Sequence, residues 1–277
     1  MAELVIRRLT SAIGAEVSGV DLAGELSPAT VSELRQALLD HLVLFFRDQP
    51  LDPVEQLRFA ERFSPMLLPL IDSGGTEHPG ITMLDQTDPK GQYTERWHSD
   101  STFLEEPPLG AVLQAIQLPS LGGDTCWASM YAAFDALSPA MQRFLEGLTA
   151  LNSTEILDAA LAKLPHVVRR DTPGTATAHP VVRVHPETGR KLLFVNGNFT
   201  TSIVELTENE SRNLLDFLFS HINSPEFSVR FHWEPSSVAF WDNRATQHCA
   251  IGDYTERRVM QRCMVQGDRP VGCGALA

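Results

Sequence analysis

The chain has 277 residues, of which 43% are hydrophobic and 21% charged, a composition that excludes an intrinsically disordered protein. A net charge of −13 and the absence of any Lys/Arg-rich block argue against a nucleic-acid-binding protein. No apolar run reaches the roughly 18 residues that a membrane helix needs, and the N-terminus lacks the apolar segment of a signal peptide. We therefore expect one domain over residues 1–277, located in the cytoplasm, with its four cysteines as free thiols.

Four helices are predicted from capping signals and apolar periodicity. The expected ranges are Pro28 to His41 after the cap residue Ser27, Pro53 to Phe63 after Asp52, about Tyr131 to Gly147, and from Thr207 to His221. A strand is expected at VLFFR, between the first two helices.

Short β-branched and apolar runs separated by Gly, Pro and Asn predict strands through the rest of the chain. They read AVLQAIQL, PVVRV, KLLFV, FSVRFHW, SSVAFW and RVMQRCMV. Many short strands with long insertions favour a mainly β protein with flanking helices, built as a double-sheet jelly roll. No glycine-rich phosphate-binding loop follows a strand, so the pattern does not support nucleotide binding.

The segment WHSD places His98 and Asp100 two residues apart. On extended backbone such residues point to the same face, so an imidazole and a carboxylate converge on one point. His248, after a strand and a polar turn, can supply a third ligand. Two histidines and one carboxylate leave three coordination positions open, which suits iron(II) that must bind a cosubstrate and oxygen together. Structural zinc would prefer four protein ligands.

A strand over residues 256–265 carries three arginines. The period of two places Arg258 and Arg262 on one face, about 13 Å apart at ~3.3 Å per residue, and Arg257 on the other. Arginine grips carboxylates and sulfonates through two parallel hydrogen bonds. The strand is therefore predicted to provide two anion-binding positions.

Together these segments resemble the iron(II)/2-oxoglutarate-dependent dioxygenases of the TauD/TfdA family, and most closely its taurine dioxygenase branch. The resemblance covers nearly the whole chain. It is carried by VLFFRDQ, WHSDSTF, GGDT, HPVVRVHPETG, LLFVNGNFT, WDNRATQH and RRVMQR. It implies a double-stranded β-helix of the clavaminate synthase-like type, with Fe(II) as the metal and 2-oxoglutarate and O₂ as cosubstrates.

The resemblance also implies residue roles. His98, Asp100 and His248 match the iron ligands, while Arg258 and Thr125 match residues that hold the distal carboxylate of 2-oxoglutarate.

On the substrate side, Arg262 matches the sulfonate-binding arginine and Phe199 an aromatic wall of the pocket. Two positions depart from the family pattern: Leu68 stands where a second sulfonate-binding histidine is expected, and Thr94 where an asparagine is expected. Losing these polar partners should weaken taurine binding and favour a more apolar substrate.

The implied reaction is hydroxylation of a small anion, taurine or a related alkyl sulfonate, with release of sulfite and an aldehyde. Because Asp100 fills the carboxylate position, hydroxylation is favoured over halogenation. An alkyl sulfate ester or a small carboxylate is the alternative substrate. A cupin-like binding module and a zinc hydrolase are the alternatives of a different class. The expected partner is the small-molecule substrate, with no nucleic acid or membrane, in a homodimer or homotetramer.

Overall fold

The computed structural model describes residues 3–72, 78–89, 93–162, 168–169 and 174–276. Within them the chain forms many short strands and a smaller number of helices. The α-helices are α1 Pro28–His41, α2 Pro53–Ala60, α3 Met130–Asp135, α4 Pro139–Leu145, α5 Glu155–Leu161 and α6 Glu208–Ile222. The first strands are β1 Val5–Arg8, β2 Ala15–Ser18, β3 Val43–Phe46, β4 Met66–Leu67, β5 Ile71–Asp72, β6 Thr82–Gln86, β7 Gly110–Gln117, β8 Thr125–Ser129, β9 Thr149–Ser153 and β10 Val168–Arg169. The remaining strands are β11 Ala176–Pro180, β12 Val182–Val184, β13 Lys191–Leu193, β14 Thr200–Ile203, β15 Ser228–Phe231, β16 Val238–Asp242, β17 Thr246–Ala250, β18 Arg258–Val265 and β19 Val271–Gly272.

The largest sheet has eight strands in the order β1-β2-β3-β16-β7-β18-β4, with β6 also paired to β18. Its strands pair antiparallel except β2 with β3. Three-stranded sheets lie alongside it in the orders β15-β8-β17, β11-β9-β14 and β13-β12-β19. The mainly β expectation is therefore confirmed for the described residues.

Strand β3 shows why the central strands have continuous apolar sequences. All four of its residues are buried, because the strand is covered on both faces. Val43 and Phe45 join the core between the large sheet and the smaller sheets. Leu44 and Phe46 face the opposite way, into a second core under α1 and α2.

Capping residues fix the helix boundaries largely as predicted. Ser27 caps α1 and accepts from the backbone N–H of Thr30. Asp52 and Glu55 form the reciprocal capping box of α2. Helix α6 has the same arrangement at its start.

The prediction of one helix from about Tyr131 to Gly147 is wrong. The structure has two helices there, α3 and α4, separated near Ser138-Pro139. Pro139 has no backbone N–H and suits only the first turn of a helix. Ser138 accepts from the N–H of Met141 and so starts a new helix.

Helix α5 was not predicted from the sequence.

In the part of the chain that the structure describes, no helix is long and apolar enough to span a bilayer.

Candidate metal centre and substrate cavity

The three predicted metal ligands meet at one buried point. His98, Asp100 and His248 each offer one ligand atom, and these atoms lie within 4.8 Å of one another. Nε2 of His248 is 3.9 Å from Oδ2 of Asp100. The two imidazole ring centres are 4.2 Å apart. The sequence-predicted cluster is thus assembled by the fold, and its donor set fits a divalent metal such as iron(II).

Main-chain hydrogen bonds join the two segments that carry the histidines. The N–H of His98 donates to the carbonyl of His248 at 3.0 Å, and the N–H of His248 donates to the carbonyl of His98 at 2.8 Å. Ser99 Oγ donates to the carbonyl of Thr246 at 2.7 Å. Because the two residues form an antiparallel bridge, their spacing is set by the backbone.

Both histidines are held neutral, as metal ligation requires. Burial lowers the pKa of His98. Burial is the main cause that lowers the pKa of His248 to about 3, and repulsion from His98, when that ring is protonated, acts in the same direction. Nδ1 of His98 hydrogen-bonds the carbonyl of Arg96 at 2.7 Å. As a donor there, Nδ1 leaves the Nε2 lone pair available for a metal.

Asp100 carries the charge of the cluster. Burial alone would raise its pKa, but the positive charge of Arg262 is the largest effect that lowers it below the usual range. Oδ1 accepts a 3.0 Å hydrogen bond from Nη1 of Arg262. Oδ2 is buried and accepts no hydrogen bond from any described residue. A buried carboxylate oxygen without a donor fits a metal ligand, since a bound cation would satisfy it.

A buried ion network supports the turn before His248. The carboxylate of Asp242 accepts 2.9 and 2.7 Å hydrogen bonds from the guanidinium of Arg244 and lies 3.0 Å from Nε2 of His185. Nη1 of Arg244 also pairs with Glu187 at 2.8 Å. The sequence analysis assigned no role to this network, although Asp242 and Arg244 lie only a few residues before His248. His185 is buried in the core.

Arg258 and Thr125 form a second polar position. Nη2 of Arg258 is 3.4 Å from Oγ1 of Thr125, which also accepts from Nε1 of Trp233 at 3.0 Å. Arg258 is buried, and its Nε makes no hydrogen bond to a described residue. Burial lowers the pKa of this guanidinium, but arginine remains charged at neutral pH. A buried cation with an unused donor is suited to a carboxylate ligand.

In the loop before Thr125, position 123 favours glycine, because the backbone there has a positive φ and lies close to Arg258. Gly123 has φ of +73°, and a Cβ there would lie 3.1 Å from Cδ of Arg258. Its N–H donates to Asp253 at 2.8 Å, which holds the loop in place. The GGDT motif is therefore explained by close approach of the backbone to the arginine.

The arginine strand has the two faces that its period predicts. Arg257 points outward, 57% exposed, and pairs with Asp85 at the surface. Arg262 points inward with Arg258 and lines a cavity of about 70 Å³ beside His98 and Asp100. Its Nε is buried without a partner among the described residues, so it keeps a donor for an anion.

Most of the cavity wall is apolar. Besides the two metal-ligand candidates, Arg262, Thr94 and Ser101, the lining consists of Pro69, Leu70, Leu84, Phe103, Leu157, Phe199 and Met264. Phe103, Leu157 and Phe199 form a small hydrophobic cluster of their own. Phe199 and Thr94, which the sequence analysis assigned to the substrate side, both line this cavity.

Leu68 does not line this cavity. It follows strand β4, and half of its side-chain surface (50%) is exposed. Its neighbours Pro69 and Leu70 line the cavity instead. The apolar character expected from Leu68 is therefore supplied by the next two residues. Alignment by motif could not distinguish these neighbours because the segment lies outside the regular strands.

The chain is similar to known proteins along nearly its whole length. Residues 6–264 match the family model described as taurine catabolism dioxygenase TauD, TfdA family. An α-ketoglutarate-dependent sulfate ester dioxygenase from Pseudomonas putida is 38% identical, covering 98% of this chain and 92% of the relative. An alkylsulfatase from Acinetobacter baylyi is 36% identical, covering 99% and 88% respectively. The crystal structure of a taurine dioxygenase from Burkholderia xenovorans superposes with a TM-score of 0.84 at 37% identity, over 98% of this chain and 93% of that one.

Proposed function

The chain belongs to the TauD/TfdA family of Fe(II)- and 2-oxoglutarate-dependent dioxygenases, and we propose that it oxidises an alkyl sulfate ester through the site built on His98, Asp100 and His248. Sulfonates of similar shape are the second candidate. The observation that carries the proposal is one cation, Arg262, in a cavity whose other walls are mostly apolar and which opens onto two of the metal-ligand candidates.

Each residue has a defined task in this proposal. His98, Asp100 and His248 hold iron(II), which when bound supplies the position where 2-oxoglutarate and dioxygen react. Arg258 and Thr125 hold the far carboxylate of 2-oxoglutarate, because a buried guanidinium favours a carboxylate that replaces its lost hydration.

Arg262 binds the sulfo group and so turns the adjacent carbon of the substrate toward the metal. Phe103, Phe199 and Leu157 exclude water and take the alkyl chain, so that binding energy is spent on orientation. Hydroxylation of the carbon that bears the ester oxygen gives an unstable hemiacetal-type sulfate ester. That ester separates into an aldehyde and sulfate.

The cavity favours a chain without a second charge. Taurine carries an ammonium group, which costs several kcal/mol to bury unless it is paired. Among the described residues that line the cavity, Asp100 is the one carboxylate, and it already pairs with Arg262. An alkyl sulfate needs only the arginine and an apolar wall. The alkylsulfatase and sulfate ester dioxygenase relatives support the same preference.

Sulfonates remain a specific second candidate. The likeness to a taurine dioxygenase structure and the arginine at position 262, which matches the sulfonate-binding arginine, both favour them. The product separates the two cases, since hydroxylation beside sulfur in a sulfonate releases sulfite, whereas a sulfate ester releases sulfate.

The test is turnover of the purified enzyme with iron(II), 2-oxoglutarate and oxygen against octyl sulfate, hexyl sulfate, hexanesulfonate and taurine. Succinate, aldehyde, sulfate and sulfite are measured for each. We expect the highest kcat/KM for an alkyl sulfate, with aldehyde and sulfate in equal amounts. Higher kcat/KM for taurine would overturn the sulfate ester proposal. Succinate release without oxidation of any of the four compounds would overturn both candidates.

We further propose that residues 1–277 form one domain, that its sheets make a double-stranded β-helix, and that the enzyme works as a homodimer or homotetramer in the cytoplasm. The core shared by the large sheet and the smaller antiparallel sheets supports the first two statements. Sedimentation equilibrium of the full chain tests the assembly. A monomer at micromolar concentration would contradict it.

A further inference from the structure

The side-chain amide of Asn243 pairs with both main-chain groups of Asp100. The N–H of Asp100 donates to Oδ1 of Asn243 at 2.7 Å, and Nδ2 of Asn243 donates to the carbonyl of Asp100 at 3.0 Å. Nδ2 also donates to the carbonyl of Pro108 at 3.2 Å. Asn243 is 1% exposed, so water does not compete for these bonds.

Asp100 needs such a contact because no strand holds it. It lies in a turn, and the next residue, Ser101, has a φ of +52°. A left-handed conformation at a residue other than glycine is unfavourable and persists only where surrounding contacts impose it. In a strand, ladder hydrogen bonds would fix the backbone of a ligand residue. At Asp100 the two bonds to Asn243 take their place.

Asn243 is itself fixed by the turn that leads to His248. Its N–H donates to the carbonyl of Leu109 at 2.8 Å, and the preceding Asp242 is anchored through its N–H to Leu42 at 2.9 Å. Asn243 lies five positions before His248 in the sequence.

The same short segment therefore connects to all three metal-ligand candidates. It contains His248, holds His98 through the main-chain bridge, and holds Asp100 through Asn243.

We propose that Asn243 is a positioning residue of the metal centre, which fixes the backbone of Asp100 relative to His248 and thereby sets the affinity for the metal. The inference rests on the metal role given to His98, Asp100 and His248 under the proposed function. Asn243 does not line the cavity beside His98 and Asp100. It acts on the metal centre through Asp100 alone.

The experiment measures binding of iron(II) alone, under anaerobic conditions and without 2-oxoglutarate, by competition with a chromophoric chelator. For Asn243→Ala we expect about 10- to 100-fold weaker binding, the usual effect of removing a group that orients a ligand. Asn243→Asp keeps an acceptor for the N–H of Asp100 but puts an oxygen where Nδ2 donated to the carbonyls of Asp100 and Pro108, so it should also weaken binding. Visible spectra of the cobalt(II) forms report the change in ligand geometry.

Gln56→Ala is the matched control. Gln56 is a fully buried amide that donates to the carbonyls of Val112 and Gln261 at 2.8 and 3.2 Å, away from the ligand segments. It should lower the melting temperature with metal affinity unchanged. His98→Ala tests the metal role separately.

The outcomes are distinguishable. Weak metal binding in Asn243→Ala and Asn243→Asp, with normal binding in Gln56→Ala, supports the proposal. Loss of binding in His98→Ala with wild-type affinity in both Asn243 variants overturns it and leaves the proposed site standing. Wild-type affinity in His98→Ala overturns the proposed site itself. If Asn243→Ala does not fold, Asn243→Asp decides by the same comparison.

Discussion

Nη1 of Arg262 donates a 3.0 Å hydrogen bond to Oδ1 of Asp100, so the residue proposed to bind substrate also contacts a residue proposed to bind the metal. This contact lowers the pKa of Asp100 and directs its other oxygen toward the histidines. The proposed anion site and the proposed metal site are therefore joined through the side chain of Arg262. We therefore expect both substrate binding and the orientation of the Asp100 carboxylate to depend on Arg262.

Replacing Arg262 by Met keeps most of the side-chain volume but removes the charge. We expect KM for the sulfo-anion to rise about 100-fold, since losing one partner of a desolvated charge pair costs about 3 kcal/mol. Steady-state kinetics with an alkyl sulfate measure the effect. Arg257→Met, on the opposite face of the same strand and in an exposed pair with Asp85, is the control. Equal KM values in both variants would contradict the assignment.

Arg258→Met should weaken 2-oxoglutarate binding by about 10- to 100-fold, because charge-assisted hydrogen bonds contribute about 1.5 to 3 kcal/mol. Metal affinity should stay at the wild-type value, as Arg258 contacts Thr125 rather than the ligands. Anaerobic titration of the iron(II) enzyme with 2-oxoglutarate, followed by its visible charge-transfer band, gives the dissociation constant. Unaltered 2-oxoglutarate affinity would rule out this role.

Leu157→Ala should enlarge the substrate cavity from the side of helix α5, where Leu157 packs with Phe103 and Phe199. We expect the preferred alkyl sulfate to become longer, with kcat/KM changing by about 10-fold per added methylene group. A panel from butyl to dodecyl sulfate measures the shift. Leu218→Ala, a fully buried change in helix α6, controls for lost stability alone. The same chain-length preference in both variants would argue against Leu157 as a determinant.

The metal-free enzyme should lose stability as pH falls below 6.5. Burial lowers the pKa of His248 from 6.5 to about 3, so below pH 6.5 the unfolded chain binds a proton that the folded chain does not. The contribution of His248 to the free energy of unfolding is complete above pH 6.5 and declines as the pH falls toward 3. The pKa of His98 is lowered in the same direction.

Urea unfolding in the presence of a chelator, at pH 7.5, 5.5 and 4.5, measures this dependence. His248→Gln should give a shallower decline with pH than wild type. Parallel curves for the two proteins would show that His248 does not titrate as expected.

Local sequence periodicity predicted much of the site. The two-residue spacing of His98 and Asp100 and the two-faced strand over Arg257 and Arg258 are short-range patterns, and backbone geometry carries them directly into space. The apolar run of β3 likewise predicted a strand, and the structure buries all four of its residues. Capping residues predicted helix starts at Ser27 and Asp52 because those bonds close within one turn.

Other features depend on contacts that sequence spacing does not encode. The pairing of Asp242 with His185 joins residues 57 apart, and the bonds between Asn243 and Asp100 join residues 143 apart. The place of Leu68 outside the cavity depends on how an irregular segment runs after β4. The break at Pro139 depends on a residue that is visible in the sequence, since proline suits only the first turn of a helix.

The sequence by itself determined which chemical groups the site has and on which face of each strand they lie, because the pleat repeats every two residues. The tertiary structure decided how those groups meet. Only the pairing of distant segments brings His98 opposite His248, turns Arg262 onto Asp100 and closes an apolar wall around it. Such contacts depend on the packing of whole sheets, in which burial and hydrogen bonding of many residues fix each position together.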